Sequence, residues 1–361
     1  MARAAVKPEA ARRVQAAARF GKFEALLVTR LPNVRYLTGF TGSNGVLLLF
    51  RDGAGILFTD PRYAVQSHRQ TDCRVVVAKG TLWKSILAAL ARARVTRVGF
   101  DQDHLNVSQF ELLKKGLPAG AALEGASGLV ETLRMVKDDG ETALIRASVA
   151  ANSEALERAL GKLRTGMPEA EFAAEIDYAN RQLGAEAPAF DTIVAAGERA
   201  ALPHAHPGPA AIMPGMLLID MGAFRDGYAS DMTRMIHIGP ATKRYREAYA
   251  AVLEAQLAAI DAVRPGVSAS SVDAAARGVL KARGLEAAFV HSTGHGLGLE
   301  IHEEPRIGRK SKTRLETGMA VTIEPGVYIE GWGGIRIEDT VLVTATGCEV
   351  LTPTTKELRE F

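Results

Sequence analysis

The chain has 361 residues, of which 47% are apolar and 24% charged; it is long enough for about two folded domains and too apolar for a disordered chain. Its 44 basic and 41 acidic residues leave a net charge of +3, too small an excess to argue for nucleic acid or an anionic membrane as partner. Cys73 and Cys348 stand far apart with no CxxC, which excludes a disulfide framework and a thiolate zinc site and fits a reducing cytoplasm.

The first 22 residues are rich in arginine, with Glu9 the only acid. This composition slightly resembles an organellar transit peptide, but a surface helix ending near Gly21 is the reading preferred here. No apolar run approaches the roughly 18 residues needed to span a bilayer. Strands are expected at Glu24–Arg30, Gly45–Phe50, Gly55–Thr59, Arg74–Lys79 and Arg97–Asp101, the second and third joined by an Arg51-Asp52-Gly53 turn. Helices are expected at Leu82–Arg94 and Ser108–Lys115. Leu31–Asn44 reads as a long connection with Tyr36, Leu37 and Phe40 exposed. Residues 1–134 therefore read as a small α/β domain.

Helix signals dominate beyond a boundary near Arg134–Gly140. The pattern predicts helices at Asp139–Arg164, from Pro168 to Gly184, at Lys243–Val263 and at Ser270–Arg283. Strand-rich segments lie between and after them, at Phe190–Ala196, Met216–Ile238, Ala288–Leu299 and Met319–Thr344. Residues 135–361 read as an α+β domain.

Within that domain, Gly215–Asp220 resembles Gly318–Glu324. Each runs from Gly-Met through mostly apolar residues to an acid, passes a turn, and returns on a strand with a second acid, Asp231 or Glu338. All four carboxylates sit in strands with apolar neighbours, where an unpaired charge is costly. Arg234 and Arg336 are the nearest candidate counter-charges. A two-residue Asp226-Gly227 turn pairs Arg225 with Tyr228 and Asp220 with Thr233, and it puts Asp231 opposite Gly222. Asp220 and Asp231 then share one face. Glu324 and Glu338 are symmetric about Gly331 and should stand opposite one another. Like charges that close call for a cation between them.

Three histidines, His291, His295 and His302, fall within twelve positions among Gly294, Gly296 and Gly298. Glycine permits a close backbone approach to a ligand. An imidazole with four carboxylates and no thiolate is a hard site. It suits two divalent ions, Mn2+ first, with Co2+ or Zn2+ as alternates. Competing motifs fail: His302-Glu-Glu-Pro-Arg306 is not HExxH, Gly294–Gly298 lacks GxGxxG spacing, and no GxSxG is present.

At these residues the chain resembles the pita-bread metallopeptidase family in its Xaa-Pro branch, aminopeptidase P and prolidase. The resemblance covers nearly the whole chain. It rests on Phe190–Gly197, Leu202-Pro-His204, Asp220 through Asp231-Met-Thr-Arg234, His291 through Glu303, Thr322-Ile-Glu324-Pro-Gly326 and Gly334–Asp339. In the smaller domain it rests on Leu31–Ser43 and Thr59–Tyr63. It implies a pita-bread (creatinase/aminopeptidase) catalytic domain preceded by a creatinase-like α/β amino-terminal domain. It implies a dinuclear metal centre in which Asp220 holds one ion, His295 and Glu324 the other, and Asp231 and Glu338 bridge both. Glu324 would also carry protons. His204, His291 and His302 would surround the substrate, and Arg336 would orient the bridging carboxylates. The implied reaction cuts the bond between an amino-terminal residue and proline, in dipeptides (prolidase) or longer peptides (aminopeptidase P). In this branch the loop matching Leu31–Asn44 reaches across a homodimer, which would bring it near His204 and His302 of the partner subunit. Creatinase shares the fold without metals, but all five ligand positions are intact here. Methionine aminopeptidase lacks the preceding domain. The alternative is a non-enzymatic pita-bread binding protein, and intact ligands argue against it.

Overall fold

A computed structural model describes residues 8–361, which divide into two compact units between Arg134 and Met135. Among the described residues no helix is long and apolar enough to cross a membrane.

The first unit is built on a six-stranded sheet. Its order is Arg74–Val77, Gly55–Thr59, Gly45–Phe50, Ala25–Val28, Arg97–Asp101, Ala122–Ala126. Ala25–Val28 is apolar at every position because both its faces are covered. It runs antiparallel to Gly45–Phe50 and parallel to Arg97–Asp101. The expected hairpin forms, with Gly53 in the left-handed region at φ 85°. The expected helices form at Leu82–Ala93 and Val107–Gly116.

The amino-terminal helix is Pro8–Ala17, and the first seven residues of the arginine-rich stretch lie outside the described residues. This helix is more than a surface feature. Ala16 and Ala17 are buried, and the buried Arg13 pairs with Asp72 at 2.8 Å.

Leu31–Asn44 is not the exposed connection expected. Leu31–Thr38 is a helix, entered through Pro32 and stopped by Gly39 at φ 75°. Asp101 accepts hydrogen bonds from the Thr29 and Arg30 backbone N–H groups just ahead of it. Tyr36, Leu37 and Phe40 are buried within their own unit, so an interface cannot be argued from their exposure. The strand Ala122–Ala126 and the turn of helix Ala64–Gln70 were also unforeseen.

In the second unit, Asp139–Leu160 begins at a capping box formed by Asp138 and Glu141. It stops four residues short of Arg164. Pro168 precedes the next helix, Glu169–Gln182, instead of opening it. Its extended backbone is held in an antiparallel bridge with Ala211. Lys243–Ala262 and Ala269–Ala282 match expectation to within a residue.

Four sheets make up the rest, and two of them hold four and five strands. One orders Arg359–Glu360, Met232–Ile238, Gly215–Met221 and Ile193–Ala196. The other orders Glu303–Ile307, Gly294–Gly296, Ala320–Ile323, Asp339–Val343 and Cys348–Val350. The two-residue period of the strands sorts their side chains. Leu217, Ile219, Met232 and Ile236 pack with Leu156, Phe172 and Ile176 of the first two helices. Leu218 and Met235 point the other way, into the core with Val252, Val272, Val321 and Val341. Asp220, Asp231 and Thr233 share parity with this inward set. Val321 and Ile323 of the second sheet, with Ile335 and Ile337 on and just after the strand Gly333–Arg336, face that core, so Thr322, Glu324, Arg336 and Glu338 take the opposite face.

Candidate metal centre

The predicted hairpin registers hold. Asp226 and Gly227 both have positive φ, 51° and 79°, as a type I′ turn requires. Arg225 faces Tyr228 and Asp220 faces Thr233. In the second hairpin, Ile323 faces Asp339 and Gly326 faces Arg336, which leaves Glu324 opposite Glu338 at the junction between two ladders. The hairpins are fastened together. The Glu338 N–H donates to the Thr233 carbonyl at 3.2 Å, and the Thr340 hydroxyl donates to the Asp231 carbonyl at 3.1 Å.

His295 enters from the short strand Gly294–Gly296. A Cβ at Gly294 would collide with the Thr322 carbonyl, and one at Gly296 with the Glu304 carbonyl. The glycines therefore serve close strand packing around His295. Its Nδ1 donates to the Gly296 carbonyl at 3.0 Å, so Nε2 is the lone-pair nitrogen whenever the ring is neutral. That Nε2 lies 3.5 Å from both Asp231 Oδ2 and Glu324 Oε1. Asp231, His295 and Glu338 each offer a ligand atom within 4.8 Å of the others. The Asp220 carboxylate takes a hydrogen bond from Arg336 on Oδ2 at 2.6 Å, while its buried Oδ1 has no partner.

The electrostatics also call for a cation. Burial, reinforced by Asp231, pushes the Glu338 carboxyl far above its ordinary range. Burial raises Asp231 to about 7 despite the hydrogen bond to His295, and it raises Glu324 as well. Burial opposes charge on His295, but Asp231 and Glu324 outweigh it and raise the imidazole to about 9. Four carboxylates face one arginine and one histidine. This donor set, with an orphaned carboxylate oxygen in it, fits hard divalent ions.

The remaining expected residues surround this cluster. The rings of His302 and His295 lie 4.4 Å apart in a T-shaped contact, and His302 is solvent-exposed. His204 is also exposed, on a loop whose Pro203 carbonyl accepts a hydrogen bond from Arg336 at 3.2 Å. His291 is tied into a directed chain. Arg336 Nη1 donates to the Tyr328 hydroxyl at 2.6 Å, that hydroxyl donates to His291 Nε2 at 2.9 Å, and Nδ1 donates to the Ser292 carbonyl at 2.8 Å. Burial, then the Arg336 charge, lowers His291 to about 4, so it stays neutral near neutral pH.

Arg336 touches Asp220 directly and Glu338 only through Thr233. The Thr233 hydroxyl accepts from Arg336 Nε at 3.0 Å and donates to Glu338 Oε2 at 2.7 Å. Thr233 and Tyr328 were not singled out in the sequence. The expected strand pairing of Thr233 with Asp220 was the one signal pointing to it. Arg234 serves no site carboxylate; it pairs with Asp339 at 2.7 Å. His302 to Arg306 forms no helical zinc motif, since Glu303–Ile307 is a strand.

Residues 143–345 match Metallopeptidase family M24, and residues 11–136 match the Creatinase/Prolidase N-terminal domain. An Xaa-Pro dipeptidase of Pyrococcus horikoshii is 34% identical over 337 residues, which cover 93% of this chain and 94% of that protein. An Xaa-Pro dipeptidase structure from Bacillus anthracis superposes with a TM-score of 0.93 at 37% identity, covering 98% of this chain and 99% of that one. An X-Pro aminopeptidase structure from Thermotoga maritima gives 0.90 at 33% identity, covering 96% and 99%. With its catalytic unit and the unit before it both matched, and similarity running the length of the chain, the protein belongs to metallopeptidase family M24, with the pita-bread fold.

Proposed function

We infer that this chain is a metal-dependent exopeptidase that hydrolyses the bond between an amino-terminal residue and proline. One observation carries the reading: two hairpins bring four carboxylates to one imidazole whose tautomer leaves Nε2 free for a metal. Asp220, Asp231, His295, Glu324 and Glu338 would hold two divalent ions, with Asp231 and Glu338 shared between them. We propose Mn2+ as the native metal on the hardness of the donor set. Bound there, the ions supply an acidified water and a polarised scissile carbonyl.

The protein groups do the rest. Glu324 takes the proton of the attacking water and returns it to the departing proline nitrogen. His302 and His291 steady the substrate and the developing oxyanion, and His204 stands beside the substrate. His291, neutral and fixed by Tyr328, lines the same cleft. Arg336 holds Asp220 and keeps Thr233 aimed at Glu338. The amide before proline has no N–H, so a pocket shaped for the ring can set selectivity.

A non-catalytic binding role is not supported, since every candidate ligand is retained. We assign the protein to the cytoplasm, where the free Cys73 and Cys348 stay reduced. We also propose a homodimer, on the family resemblance alone; light scattering tests it. The decisive assay is hydrolysis of Ala-Pro and Ala-Pro-Ala with Mn2+ supplied. Cleavage of either before proline, abolished by chelation, is expected. Inertness toward both in the metal-loaded protein would overturn the reading.

A further inference from the structure

A recess of about 660 Å³ opens beside His291, walled by residues between Glu304 and Thr313 and by Phe289 and Val290. Its charge is one-sided: Arg306, Arg309, Lys310 and Lys312 line it against Glu304 alone. Arg277, also on the wall, is paired with Asp273 at 2.8 Å, and Arg309 reaches Glu286 at 3.3 Å. The side chains of Arg306, Lys310 and Lys312 have no ion-pair partner among the described residues. Cations gathered on one concave wall repel one another and focus the field on whatever anion enters. Val290, 67% exposed, adds an apolar shelf.

The reaction restricts what can enter. An enzyme that removes one amino-terminal residue confines the amino end of its substrate. Only the residues after proline vary in number. The recess shares His291 with the residues placed around the substrate, and the carboxyl side of the peptide is the end free to reach it. We propose that it binds acidic side chains following the proline, so that longer, acidic peptides are preferred substrates. This rests on the Xaa-Pro reading above.

The test compares Ala-Pro, Ala-Pro-Glu-Glu and Ala-Pro-Lys-Lys on the Mn2+-loaded enzyme. At low salt kcat/KM should favour the acidic tetrapeptide by about tenfold, through KM, and the preference should shrink to within about twofold at 0.5 M NaCl. The double variant Lys310→Glu, Lys312→Glu should reverse the preference and leave Ala-Pro hydrolysis unchanged. If that variant loses Ala-Pro hydrolysis through misfolding, the salt series on the unaltered enzyme decides. Equal kcat/KM for the two tetrapeptides at low salt overturns the proposal, as does a preference that a folded variant leaves unchanged. Cleavage of Ala-Pro with neither tetrapeptide cut also overturns it and leaves the Xaa-Pro reading intact. Failure on all three peptides removes that reading and the proposal together.

Discussion

Thr233→Val tests whether the carboxylate cluster is aimed by the protein or merely collected by it. Threonine and valine have nearly the same shape, so packing at this fully buried position survives. The loss is chemical. The hydroxyl donates to Glu338 Oε2 at 2.7 Å and accepts from Arg336 Nε at 3.0 Å. Hydrogen bonds to charged groups are worth about 1.5–3 kcal/mol each. Arg336 keeps Asp220, Tyr328 and Pro203, so its share of the loss is small. Glu338 loses the hydrogen bond that orients its carboxylate. About 2 kcal/mol should therefore fall on the metal site, which at 1.4 kcal/mol per tenfold is about a 30-fold weaker affinity. This lies within the 10–100-fold typical of residues that orient metal ligands. Competition titration against a chelator measures it with Mn2+, and Thr233→Ser, which keeps the hydroxyl, should recover most of the loss. Mn2+ affinity in Thr233→Val within twofold of the unaltered protein would refute the orienting role.

Asp231→Asn or Glu338→Gln should each abolish the dinuclear centre and lower turnover at least about 10³-fold, since each removes a shared ligand and a charge; full metal content by elemental analysis with normal turnover would end the assignment. His302→Ala should keep its metal and lose about 10²–10³-fold in kcat, whereas His295→Ala should lose metal; the opposite pattern exchanges their roles. Stability of the metal-free protein should fall as pH rises. The folded-state pKa values of Asp231 (about 7) and Glu338 lie above their unfolded values, so their contribution is complete below about pH 4 and is lost as pH climbs through the folded values. His295, raised to about 9, acts in the same direction at higher pH. The gap in Tm between Mn2+-loaded and EDTA-treated protein should therefore widen from pH 5 to pH 8, and a constant gap would contradict the assigned shifts.

Much of this is legible in the sequence, for reasons that differ by element. The acids could be placed because strands alternate faces and tight turns fix register: once Asp226-Gly227 is a two-residue turn, Asp220 must oppose Thr233. Helix ends were less legible. The Pro168 ring suits a first helical position, yet the bridge to Ala211 holds it extended. Leu31–Thr38 was misread outright. The segment reads as a connection, whereas Pro32 opens a helix and Gly39 closes it. The backbone just ahead of that helix is held by Asp101, some seventy positions along, and no local pattern announces that partner.

The same distinction separates the site residues found from those missed. A carboxylate between apolar strand residues is conspicuous because burying it is expensive, and four of them imply the counter-charge that makes them tolerable. A buried threonine or tyrosine in a strand carries no such signal, since both are ordinary strand formers. Thr233 becomes a link between Arg336 and Glu338 only when the chain closes over 103 and 105 positions. Tyr328 joins Arg336 to His291 only when a strand eight residues from one partner meets a loop 37 residues from the other. Sequence exposes the groups whose charge demands a partner, and the fold supplies the neutral groups that aim them.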